Sequence, residues 1–197
     1  MPILPMEQAI FPEQLLDPDF CAKNQGDWWV LHTKPRTEKT LARKLLTNSI
    51  PFFLPVYSKR SRHGNRTLTS HLPLFPSYLF LNGDDSARRE ALETNCVVRT
   101  IQVVERDRLI ADLSRIYRLM VSGIPMAPED RLQPGQWVQI TSGPLQGMEG
   151  KLIRRGARDQ LIVEVNFLQR GAAVEVEGWA IKPMDTEPYR STTQVAV

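Results

Sequence analysis

Leu72-Pro73-Leu74-Phe75-Pro76-Ser77-Tyr78-Leu79-Phe80-Leu81 is a proline-bracketed aromatic segment running into a short strand. Period-2 alternation puts Tyr78 and Phe80 on one face of that strand and Leu79 and Leu81 on the other. Leu79 and Leu81 suit a core. The aromatic pair has two readings: a second core face, or anchors on a sheet face left open for another protein.

Working outward, residues 28–32 are a short apolar, aromatic-rich run and read as a buried first strand. Pro35 and Thr37 announce a helix with Glu38 in its first turn, and Leu41, Ala42, Leu45 and Leu46 form its buried stripe. Residues 52–57 form a second strand despite Pro55, which predicts an edge or a bulge. Gly64-Asn65 is a hairpin signal at the tip of a basic turn. Asp84-Asp85-Ser86 caps a helix ending near Asn95, and residues 97–104 form a strand. A longer helix starts at Asp107, with Leu109, Leu113, Ile116, Tyr117 and Met120 at helical spacing. Strands alternating with helices predict an α/β sandwich with a mainly antiparallel sheet, open on one face.

From Gln133 the texture changes to short strands with glycine turns, at 137–140, 150–153, 161–165, 173–176 and 179–181. Five strands in so few residues predict a small SH3-like β-barrel, so the whole is α+β. The expected organisation is a weakly structured leader over 1–26, a first domain over 27–123, a linker over 124–132, the barrel over 133–184 and a tail over 185–197. Phe11, Leu15 and Leu16 are expected as a short docking turn in the leader.

The formal net charge of +3 hides an asymmetry. Residues 27–123 carry 16 Lys+Arg against 9 Asp+Glu, whereas residues 133–184 carry 6 against 5. Lys34, Arg36, Lys39, Arg43, Lys59, Arg60, Arg62 and Arg66 concentrate that charge and form a candidate nucleic-acid surface, binding by phosphate neutralisation. The alternative is a solvated basic face. No run approaches a membrane span, and the N-terminus lacks the basic and apolar regions of a signal peptide. Cys21 and Cys96 are distant from each other and lack metal spacing, as two free thiols in a reducing cytoplasm would be. The histidines lack metal spacing, no Gly-rich phosphate loop precedes a helix and no nucleophile motif appears. No enzyme, metal or cofactor is expected.

Pro73-Leu74-Phe75-Pro76-Ser77-Tyr78-Leu79-Phe80, some way after Trp28-Trp29-Val30-Leu31, resembles the N-terminal domain of the NusG/RfaH family of transcription elongation and antitermination factors. Gly135-Gln136-Trp137-Val138-Gln139-Ile140, then Gly143-Pro144-Leu145-Gln146-Gly147-Met148-Glu149-Gly150, resembles that family's KOW module. The resemblance implies that the first domain grips the clamp helices of the large RNA polymerase subunit, with Tyr78, Phe80, Phe75, Pro76 and His32 in or beside the grip. It implies contact with non-template DNA, where His63, Asn65 and Arg66 at the hairpin tip meet exposed bases. It also implies that the barrel recruits the ribosomal protein NusE or the terminator Rho, with Leu145, Gly147, Met148 and Phe167 as candidates. For Phe167, barrel core is the competing assignment. Cys96-Val97-Val98-Arg99-Thr100, Gln136 and Leu145 depart from the family's pattern and, with the acidic leader, point to a specialised, pathway-specific antiterminator; a monomer is expected. A ribosome-associated or RNA-binding KOW protein is the alternative.

Overall fold

A computed structural model describes residues 8–24, 26–63, 66–130, 135–155, 158–176 and 179–184. The chain runs β1 (Ile10–Phe11), α1 (Pro18–Lys23), β2 (Trp28–Thr33), α2 (Glu38–Thr47), β3 (Phe52–Phe53), β4 (Val56–His63), β5 (Arg66–Pro73), β6 (Tyr78–Asn82), α3 (Asp85–Glu93), β7 (Val97–Gln102) and α4 (Arg106–Ser122). It continues through β8 (Met126–Glu129), β9 (Gln136–Ile140), β10 (Glu149–Arg155), β11 (Arg158–Val165), a 3-10 turn (Asn166–Leu168), β12 (Arg170–Glu175) and β13 (Ile181–Pro183).

The first sheet has the order β1-β3-β6-β2-β7, all antiparallel. Alternation along β6 works as its residue types dictate. Leu79 and Leu81 join Leu31, Phe52, Leu41, Leu45 and Ala91 in the layer beneath α2 and α3. Phe80 joins Val30, Phe53, Leu109, Leu113 and Ile116 on the opposite face. The expectation of an open face is therefore corrected: α4 covers it. Tyr117 of α4 meets the Phe53 ring edge-on at 6.0 Å, an arrangement aromatic quadrupoles favour.

Pro55 divides what reads as one strand into two elements. Phe52–Phe53 stays in the first sheet, while Val56–His63 leaves it to pair with Arg66–Pro73 as a separate two-stranded sheet. His63 stands opposite Arg66 in that ladder, and the expected hairpin turn at Gly64-Asn65 lies outside the described residues. Asp84 caps α3 as expected, its carboxylate accepting from the Ala87 N–H at 2.9 Å.

The stretch read as a weakly structured leader is folded from Gln8. Leu15 and Leu16 are buried in the core, and the Arg106 guanidinium donates to the Cys21 and Asn24 carbonyls. The second module is an antiparallel barrel-type sheet of order β13-β9-β10-β11-β12-β8. Four of its strands fall where expected; β13 starts at Ile181, where the expected fifth strand ends, and β8 comes from the stretch read as a linker. A continuous apolar cluster runs from the first sheet through α4 into Val138, Ile140, Leu161, Val163 and Val174 of the barrel. The two modules are thus packed together, with α4 between them. No helix among the described residues is long and apolar enough to cross a membrane.

Candidate functional site

The loop before β6 is held from two sides. Its Ser77 adopts φ 67°, a left-handed conformation that side chains normally avoid. Two hydrogen bonds hold it there: the Ser77 N–H donates to the Glu38 carboxylate at 2.7 Å, and its carbonyl accepts from the Thr33 N–H at 2.9 Å. Glu38 is itself buried at the start of α2. The sharp turn sends Phe75 inward, edge-on to Phe80 with centroids 6.3 Å apart, and leaves Pro76 exposed.

Tyr78 emerges from this turn opposite His32 of β2, with ring centroids 5.3 Å apart. Both are half-buried. The Arg170 guanidinium, delivered by β12 of the barrel, lies over the same Tyr78 ring at 5.5 Å. Of the five residues expected at a docking face, Pro76, Tyr78 and His32 reach the surface. Phe75 and Phe80 are core residues, because the turn at Ser77 and the cover of α4 enclose them.

Two elements carry the expected cations. Lys34 and Arg36 are exposed ahead of α2, with Arg43 exposed and Lys39 half-buried along it. Lys34 Nζ donates to Asn95 at 2.7 Å, which steadies the first of them. Lys59, Arg60 and Arg62 are exposed on β4, where alternation puts Lys59 on the face opposite Arg60 and Arg62. The side chains of His63, Asn65 and Arg66 lie outside the described residues.

In the barrel, Gly147 takes φ 80°, so it serves the turn that its sequence pattern predicts. Its N–H donates to the Ile140 carbonyl at 2.7 Å, folding the segment back onto β9. That fold-back buries Leu145 and Met148, which are expected on an exposed apolar edge; they sit instead in the cluster shared with α4. Phe167 is 39 % exposed, so it is not barrel core.

The seam between the modules holds residues that sequence reading does not single out. Asp112 of α4 is 1 % exposed, and its carboxylate accepts the Asn166 backbone N–H from the barrel at 2.9 Å. Arg115 pairs with its other oxygen. Burial pushes the Asp112 carboxyl above the usual carboxylate range, while the Asn166 N–H, Arg115 and Arg108 pull it back. Arg118 donates to the Gln146 carbonyl at 3.0 Å, a second tie across the seam. Beside Asp112 a cavity of about 330 Å³ is lined by Val103, Val104, Leu109 and Phe167. The available signal is a carboxylate inside the apolar stripe Leu109, Leu113, Ile116 of one helix. Among the described residues, no group of His, Cys, Asp or Glu is arranged to hold a metal ion.

Residues 26–118 match the family model described as NusG, transcription termination factor nusG. No curated protein matches the chain. Among solved structures, one described as "Domain interaction in Thermotoga maritima NusG" is similar at 17% identity and a TM-score of 0.46, over 77% of this chain and 93% of that one. Another, "Crystal Structure of MjSpt4:Spt5 complex conformation B", is similar at 16% identity and a TM-score of 0.27, over 81% of this chain and 99% of that one.

Proposed function

Through residues 26–118 this chain belongs to the NusG family, whose members are transcription elongation factors and not enzymes, and from that premise we propose that it docks on the RNA polymerase clamp through Pro76, Tyr78 and His32 to suppress pausing and termination. The observation that carries this reading is the built character of that patch. A buried carboxylate holds a strained turn so that a proline and an aromatic ring stand at the surface together. Aromatic anchors of this kind dominate protein interfaces.

A factor gripping the clamp favours its closed state, and a ligand shifts a population toward the state it binds better. Pausing that needs clamp opening is then disfavoured. Lys34, Arg36, Arg43, Lys59, Arg60 and Arg62 supply sequence-independent attraction to non-template DNA. Phe167, an exposed apolar residue of the barrel, is the contact for a second partner such as NusE or Rho. The departures at Arg99, Gln136 and Leu145 suit a specialised antiterminator.

Arg170 stands on Tyr78, so docking requires the barrel to leave the patch. The test is single-round transcription across a pause site and a terminator with the cognate polymerase. Wild type is expected to shorten the pause and raise read-through. Tyr78→Ala, which removes the aromatic anchor, is expected to weaken polymerase binding by about 2 kcal/mol. Equal activity of the two proteins, or no binding by wild type, overturns the reading.

A further inference from the structure

The modules are joined more tightly than their sequence spacing requires. Residues 123–125 alone separate the end of α4 from β8, and β8 is already part of the barrel sheet. Its register against β12 sets Met126 opposite Val174, Ala127 opposite Ala173, Pro128 opposite Ala172 and Glu129 opposite Gly171. Ile124 and Met126 pack against the shared apolar cluster, so the pivot itself is anchored.

Three residues reach about 10 Å when fully extended, whereas the thirteen from 123 to 135 reach about 40 Å. A docking helix is itself roughly 10 Å across. With β8 paired, the barrel has no slack with which to clear Tyr78. With β8 released, it has ample slack.

We propose that β8 is a zip that sets the length of the tether: the modules part by peeling Met126–Glu129 from β12, not by swinging about Gly123. The strand is suited to release. It is four residues long, lies at the sheet edge, and contains Pro128, which has no N–H to give the ladder. Its far end, Glu129 opposite Gly171, is one residue from Arg170 on Tyr78. Loss of the seam contacts and loss of the zip therefore begin at the same end of β12. In function, the zip regulates the docking patch and so rests on the docking reading above; in structure, it does not.

The test uses the full chain with Cys21→Ser and Cys96→Ala, and Ala127→Cys with Ala173→Cys to lock β8 by a disulfide across a directly opposed pair. Amide exchange at Asn166, whose N–H is held by Asp112, reports seam opening. In the reduced protein, those β8 amides that point toward β12 are expected to exchange in step with Asn166. Oxidation is expected to slow Asn166 exchange at least tenfold and weaken binding to a polymerase elongation complex at least tenfold, both restored by reductant. The zip is overturned if β8 amides exchange ten times more slowly than Asn166, or if oxidation leaves Asn166 exchange unchanged. Slowed exchange with unchanged polymerase binding leaves the zip standing and overturns the docking reading.

Discussion

Asp112 has its pH behaviour set by position rather than by residue type. Burial is the largest influence on its carboxyl and raises its pKa, so the folded protein holds the proton more tightly than the unfolded chain does. Between the ordinary aspartate value, about 3.9, and the raised one, the folded state binds more protons, and stability falls as pH rises. The contribution is greatest below the unfolded pKa and lost as pH climbs through the folded one. Asp112→Asn removes the titration. Urea unfolding of both proteins from pH 4 to 7.5 should show the stability difference moving in favour of wild type as pH falls. Parallel curves would mean that the carboxyl is not buried in solution. The neighbouring pattern made Leu109, Leu113 and Ile116 legible as a core stripe, but nothing local to Asp112 signals the Asn166 amide, which lies 54 residues away in the chain.

The turn between β5 and β6 and the turn between β9 and β10 behave differently under substitution because they depend on different kinds of support. The first depends on a distant carboxylate. Glu38→Ala leaves the Ser77 N–H without its acceptor, and a buried unmet donor costs about 1–3 kcal/mol. Chemical denaturation should show that loss, and Glu38→Gln, which keeps an acceptor oxygen, should recover part of it. The second turn depends on backbone freedom at Gly147, where an added Cβ meets nothing but φ is 80°. Gly150 is the opposite case: a Cβ there would stand 2.6 Å from the Ile162 carbonyl oxygen. Gly150→Ala should therefore lower the melting temperature more than Gly147→Ala. The Asp84 cap was legible because capping chemistry acts over a few residues, whereas Thr37 makes no side-chain cap and its hydroxyl donates instead to the Lys34 and Cys96 carbonyls. The closeness of β10 to β11 at Gly150 was not legible, because it arises only when two strands meet.

At the scale of the whole molecule, α4 buries residues on two sides, and one apolar cluster includes both modules. Such a core predicts a single cooperative unfolding transition, not one for each module. Combining Asp112→Ala with Arg170→Ala removes two ties across the seam and should separate the transition into two in calorimetry. A single transition in that variant would show that apolar contact alone couples the modules. Most of the helices, the antiparallel first sheet and four of the barrel strands follow from residue order. Periodicity of two or 3.6, caps, prolines and glycines act locally, and each leaves its mark in the residue order. The chain by itself also determined which residues of the aromatic segment share a face, since alternation along a strand allows no other choice. Only the tertiary structure decided that α4 closes the face carrying Phe80, that Leu145 and Met148 turn inward, that β8 joins the barrel and that Arg170 covers Tyr78. Those outcomes depend on which surfaces, far apart in the chain, gain most by leaving water together, and that competition has no local signature.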